Sequence, residues 1–405
     1  MLYLLPLINL RMKKISIFIL LLLTTLVNAQ DDARVITTGV PFLLIAADAR
    51  SASMGDQGVA TSADAYSMQF NAAKYAFSLE KQGFSLGYTP YLTALVNDIS
   101  LSQINYFNRL NEQSAFAGSI RYFSLGEIDL TNSTGESLGQ VKPAEFAIDG
   151  AYSLKLSERF AMAIGGRFIS SNLRIATEGQ SNAAANSFAF DVSGFYQSEE
   201  IAYNEFNGRW RAGFNFQNLG PKINYDETQE SLNANFLPSQ LRLGAGFDFI
   251  LDDYNKVAVG LEVNKLLVPT PQNADIDGDG VITTPEEIAL RDKNRADYNR
   301  IGWTSGILKS FNDAPNGFSE ELKELTYSVG TEYLYQDSFA FRLGYFHENP
   351  LKGARQYFTL GAGFKYSAVK IDVSYLFSAS KVKNPLENTL RFSLSFAFGE
   401  KYDED

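Results

Sequence analysis

The residues best suited to chemistry stand together in one short run. Asp275-Ile276-Asp277-Gly278-Asp279-Gly280-Val281-Ile282-Thr283-Thr284-Pro285-Glu286 matches the twelve-residue calcium loop at each diagnostic position. Asp275, Asp277 and Asp279 offer carboxylate oxygens, and Gly280 allows the sharp turn. Val281 lends its carbonyl, Thr283 a hydroxyl or bridging water, and Glu286 a bidentate carboxylate. Three aspartates spaced by two repel one another unless a cation lies between them, which favours a calcium site over an acidic, solvated turn. Thr284-Pro285-Glu286-Glu287 reads as a helix start, with Thr284 capping, Pro285 in the first turn and Glu287 completing a capping box. Glu286 is therefore expected on a helix. A single loop without a paired second one predicts a structural clamp, not a sensor.

Covalent catalysis has little to draw on. The chain holds no cysteine and one histidine, His347. Gly83-Phe84-Ser85-Leu86-Gly87 spells the pattern of a nucleophile elbow, which needs a strand-to-helix corner. Here Ser85 stands inside an alternating run, with Phe84, Leu86 and Tyr88 on the opposite face. With His347 as the one imidazole base, no enzyme is expected. Beyond the acidic run come Trp303, Ile307, Leu308 and Phe311. Large apolar residues in a loop are costly unless covered, so they either fold over the body of the protein or contact a partner.

The elements that must position these groups are strands. From Gln82 onward the sequence keeps a period of two. In Thr389–Phe398, Leu390, Phe392, Leu394, Phe396 and Phe398 share one face, opposite Thr389, Arg391, Ser393, Ser395 and Ala397. Gln240–Phe249, Phe339–Tyr345 and Val369–Phe377 read the same way. About fourteen such runs are found between residues 82 and 398, joined alternately by short and long segments. That alternation predicts an all-β, transmembrane antiparallel barrel of residues 81–399, with short periplasmic turns and longer outer loops. The longest loop is 265–323, and 400–405 is an acidic tail. The apolar faces would meet lipid. The opposite faces carry Arg121, Arg167, Arg211, Arg242, Arg342 and Arg391 with Asp149, Asp191, Asp248, Glu262, Glu332 and Asp372. Mixed signs predict a ladder of internal ion pairs, which Asp48 and Arg50 would join, in preference to a selective channel lining. Thirty-one phenylalanines and twenty-one tyrosines suit the aromatic girdles of a barrel, and a net charge of −11 argues against nucleic acid as a partner.

Ahead of the strands lie two further segments. Met12-Lys13-Lys14, the apolar stretch Ile15–Val27 and the small residues before Gln30 form a secretory signal peptide over 1–29, with translation expected from Met12. Residues 30–80 follow. Their centre, 39–77, is crowded with Ala, Ser and Gly, as suits a plug packed tightly inside the barrel.

Gly55, Gly58, Ala60, Asp64-Ala65 and Asn71, ahead of a barrel of this strand number, resemble the hatch of the FadL family of outer-membrane transporters. Asn71-Ala72-Ala73 stands where that family usually has Asn-Pro-Ala. The fuller string GVPFLLIAADARSASMG, the signal peptide and the strand series resemble the FadL-like outer-membrane proteins of the type IX secretion system. The resemblance implies a non-enzymatic component set in outer-membrane lipid that works with the translocon barrel and binds the C-terminal domains of cargo. It would hand cargo to a surface attachment complex that includes a sortase-like protease. Sibling branches of that system share the architecture, and the residues leave them open. A FadL-like transporter of hydrophobic small molecules is the alternative. The expected location is the outer membrane, with both chain termini periplasmic and loop 265–323 extracellular.

Overall fold

Side chains that alternate between apolar and polar can satisfy both lipid and a polar interior only if the sheet closes, because an open edge would strand backbone donors in hydrocarbon. The computed structural model describes residues 34–93, 96–132, 134–173, 184–225, 234–278, 280–380 and 384–402, and in it the sheet closes. The expected signal peptide lies outside the described residues. Fourteen long strands form the wall. They are β1 Glu80–Pro90, β2 Ile99–Arg109, β3 Ser114–Leu125, β4 Ala144–Ser157, β5 Phe160–Asn172, β6 Ala185–Gln197 and β7 Asn207–Leu219. The second half comprises β8 Gln240–Ile250, β9 Asn255–Leu266, β10 Leu325–Tyr335, β11 Phe339–His347, β12 Gln356–Tyr366, β13 Val369–Ser378 and β14 Leu390–Lys401. Each strand pairs antiparallel with the next, and β14 returns to β1 in the register Ser85↔Ser395.

The connections sort by end. Residues 158–159, 251–254, 336–338 and 367–368 make tight turns at one end, while 126–143, 220–239 and 267–324 belong to the other. Gln336 and Asp337 both adopt positive φ, 54° and 49°, the geometry a two-residue hairpin demands. The alternation read from the sequence sorts the faces correctly. Ile164 and Phe188 point outward at 68% and 64% exposure, whereas Arg391 and Glu332 point inward at 1% and 2%.

Residues 34–79 run inside this wall from the loop end to the turn end. At the loop end Gly39 N–H donates to the Phe236 carbonyl (2.8 Å), and Arg34 pairs with Glu320 (2.9 Å). At the turn end Arg109 donates to the Ser78 carbonyl (2.5 Å), and β1 begins two residues later. Both chain termini, expected at the periplasmic side, lie outside the described residues. The first described residue and Lys401 stand at opposite ends, because the segment threads the whole barrel before the first strand starts.

The long loop folds into α1 Pro285–Arg300, α2 Trp303–Lys309 and α3 Phe318–Lys323. The start of α1 is the one its sequence predicts: the Glu287 N–H donates to Thr284 Oγ1, and the Glu287 carboxylate accepts from the Thr284 N–H (2.9 Å).

Candidate functional site: the lumen and the long loop

The interior is built by matching a small-residue segment to a wall with its own side chains removed. Gly213, Gly244, Gly260, Gly330, Gly344 and Gly361 lie one per strand along β7–β12, and several are direct cross-strand partners. Residues 53–60 press into the groove they leave. A Cβ on Gly213 would fall 2.3 Å from the Val59 carbonyl oxygen, and one on Gly344 would fall 2.1 Å from the Gly55 nitrogen. Gly55 itself needs φ +76°, which a side chain disfavours, and its own Cβ would strike the Tyr345 carbonyl at 2.7 Å. The individual glycines of the segment are conspicuous in the sequence. The groove was missed there, although a glycine inside each of six successive strands signals close approach of another backbone.

Polar side chains of the wall and of the segment hold the two together. Glu262 accepts from the Gly58 and Val59 N–H groups (2.8 and 2.9 Å), Asn71 donates to the Gly194 carbonyl (2.9 Å), and Asn215 donates to the Phe70 carbonyl (2.8 Å). The charges read from the alternation are paired. Arg342 meets Glu332 (2.5 Å) and Asp372 (2.8 Å), Arg242 meets Glu262 (2.8 Å), and Arg211 meets Asp248 (2.5 Å). Arg167 bridges Asp149 and Asp191, and Arg121 stands 3.6 Å from Asp149. Arg391 pairs with Asp56 of the segment (3.1 Å). Arg50 joins the ladder through Glu332 (2.8 Å) and Asp64 (2.6 Å), while Asp48 instead caps the helical turn Ala49–Ala52 by accepting from the Ser51 N–H.

The two halves of the lumen differ. Towards the loop end, Phe42 and Leu43 fill an apolar cluster with Leu101, Phe123 and Ile169. Towards the turn end a cavity of about 670 Å³ opens below the segment, lined by Arg50, Asp64, Arg211, Asp248, Glu332 and Lys370 among others. Ser85 sits inside, accepting from Asn105 (2.9 Å). His347 faces outward between Tyr327 and Tyr345, so the two residues of the elbow-like reading lie on opposite faces of the wall.

In the loop, the Asp275 carboxylate accepts from the Gly278 and Gly280 N–H groups (both 2.8 Å). Asp275, Asp277 and Glu287 bring carboxylate oxygens within 4.8 Å of one another. Glu286, expected as the twelfth-position ligand, is exposed on the first turn of α1, and its buried neighbour Glu287 faces the loop instead. Asp279 lies outside the described residues. Val281 is exposed, and the Thr283 N–H donates to Glu287 (3.1 Å). Hydrogen bonds from the Thr284 N–H and hydroxyl and the Ile276 and Thr283 N–H groups lower the Glu287 carboxyl to about 2. Three carboxylates so arranged have the oxygen chemistry of a hard divalent cation.

At the base of the loop, Lys265 contacts Glu321 and Glu324 (2.9 and 2.8 Å), and Lys352 contacts Glu320 and Glu324 (2.7 and 3.0 Å). Burial opposes ionisation of Glu320, but hydrogen bonds from Arg34 and Lys352 outweigh it and lower its carboxyl to about 2. Of the four apolar loop residues, Trp303 and Ile307 are half-buried, while Leu308 (76% exposed) and Phe311 stand in the open.

No curated protein matches the chain in sequence. The Pseudomonas putida toluene transporter TodX is 12% identical, covers 90% of this chain and 98% of its own, and superposes with a TM-score of 0.47. The Ralstonia pickettii toluene transporter TbuX is 11% identical over 88% of this chain and 100% of its own, with a TM-score of 0.44. A Pseudomonas aeruginosa FadL homologue is 11% identical over 91% and 100%, with a TM-score of 0.42. The family described as type IX secretion system protein PorV matches residues 28–273, which takes in the threaded segment and strands β1–β9. This outer-membrane barrel belongs to the PorV family of the type IX secretion system.

Proposed function

We propose that the protein is a non-enzymatic component of type IX secretion that binds the C-terminal signal domain of cargo. It carries that domain from the translocon barrel to the surface attachment complex, which includes a sortase-like protease. The family match over residues 28–273 carries this reading. A lumen occupied by the protein's own residues 34–79 supports it, since that segment acts as a plug and leaves binding to the outer surfaces. In this reading the loop end faces outside and Lys401 faces the periplasm. The open Leu308 and Phe311 supply the apolar part of a docking face, and calcium at Asp275, Asp277 and Glu287 stiffens the loop beneath it.

Native protein purified after mild cross-linking in cells tests the proposal. Recovery of the translocon barrel and cargo C-terminal domains is the expected result. Recovery of bound lipid or another hydrophobic small molecule without these partners would overturn it in favour of FadL-like transport. A single cysteine introduced at Ser319 should react with an impermeant maleimide on intact cells, and protection there would reverse the orientation.

A further inference from the structure

The long loop does not only cover the barrel mouth. Its second helix reaches over the rim onto the lipid-facing wall. Trp303, the first residue of α2, sets its ring at 81° to that of Phe190 with centroids 6.3 Å apart. Phe190 lies on the outward face of β6, 43% exposed, next to the outward Phe188. On that face Phe188 pairs with Phe168, and nearer the loop end the exposed residues are Asn186, whose partner Ser170 is buried, and Asn172. The apolar band therefore gives way to polar residues just above the point that Trp303 reaches. Ile307 follows Trp303 by four residues, so it shares the same side of the helix.

We propose that Trp303 and Ile307 form a membrane-interface anchor that seats the long loop in the head-group region of the leaflet at the loop end. The occupant of this face is lipid. The face is contiguous, through Phe190, with the outward apolar wall of the barrel, and it sits where that wall turns from apolar to polar. Tryptophan suits this depth because its ring is apolar and its indole N–H needs a wet partner. Leu308 falls on another side of α2 and stays free for a protein. The anchor does not depend on the cargo reading. It would restrain the loop whatever the loop binds.

The chain holds two tryptophans, and Trp210 stands outward near the turn end of β7, so Trp210→Phe leaves Trp303 as the one emitter. This variant would be reconstituted into phosphatidylcholine vesicles with and without brominated acyl chains. The expected result is a blue-shifted emission that loses intensity when bromines lie near the head group and is protected from iodide. Phe190→Ala in the same background should shift the emission to the red and reduce the lipid quenching. Iodide quenching equal to that of free indole would overturn the proposal. So would protection from both quenchers, which would mean that protein covers the ring. Should the Trp210→Phe barrel fail to insert, the native chain labelled with fluorotryptophan gives the same reading. The Trp303 ¹⁹F resonance should broaden with a spin-labelled lipid, and broadening of the Trp210 resonance alone would refute the anchor.

Discussion

At the scale of single residues, Glu332 carries the heaviest load in the lumen. It receives Arg50 from the threaded segment and Arg342 from the wall, and it is 2% exposed. Glu332→Gln keeps the shape but removes the carboxylate that Arg50 and Arg342 share, leaving each with one acidic partner, Asp64 and Asp372. The loss should therefore fall below the roughly 3–5 kcal/mol of a buried charge left with none. The variant should unfold at lower temperature, and its segment 34–79 should be cut by protease before the wall is. In the loop, Asp277→Asn should abolish calcium binding followed by calorimetry, in the range roughly 10⁻⁴–10⁻³ M for extracellular sites. Glu286→Gln should bind as the parent does, because Glu287 and not Glu286 faces the aspartates. If the parent takes up no calcium at millimolar concentration, the acidic run is a solvated turn. Protons act on a clasp made of two separate carboxylates, Glu287 at the start of α1 and Glu320 at the base of the loop, each held by hydrogen bonds. Glu287 and Glu320 are held at about 2 against an ordinary 4.5, so the stability they lend is complete above pH 4.5. That contribution drains away as pH falls towards 2. Pepsin digestion should accordingly open loop 265–323 progressively within that window, while a loop equally resistant at pH 5 and pH 2 would refute the clasp.

At the scale of elements, the fit between the segment 53–60 and strands β7–β12 makes a paired comparison. Gly344→Ala would put a methyl group against the backbone of Met54 and Gly55, whereas a Cβ at Gly150 meets nothing within 4 Å. Overpacking of this kind typically costs about 1–3 kcal/mol. Gly344→Ala should thus lower the melting temperature and expose the segment to protease, with Gly150→Ala indistinguishable from the parent. Equal behaviour of the two would mean the groove is slack. Glycine bears on this element for a reason separate from strand propensity. A wall that must admit a second backbone has no room for side chains at the level where they cross.

At the scale of the whole molecule, a closed fourteen-strand wall is wide enough to hold water unless something fills it. What fills it is residues 34–79, with the apolar cluster of Phe42 and Leu43 towards one end and an open, polar cavity at the other. Deletion of 39–77 should therefore give a barrel that conducts ions in a planar bilayer, where the intact protein is silent. A silent deletion variant would show that the wall collapses or that another part of the chain blocks it. Closure of the fourteen wall strands does not involve the acidic run 275–286, so chelation should leave the heat resistance of the barrel unchanged.

Strand number, the face each side chain takes and the presence of an ion ladder were all legible in the sequence. They follow from a period of two that is local: each residue's face is set by its neighbour, and inward Arg391 between outward Leu390 and Phe392 needs no knowledge of the rest of the chain. The helix start at Thr284–Glu287 was legible for the same reason, since its bonds close within three residues. Only the tertiary structure decided the partners across the lumen. Arg391 and Asp56 are 335 residues apart, and Arg34 and Glu320 are 286 apart. It also decided that the segment enters from the loop end, that the Glu287 carboxylate lies beside Asp275 and Asp277, and that Trp303 lies outside the wall. Each of these depends on where closure of the sheet brings distant strands, and a sequence pattern with a range of a few residues carries no record of that.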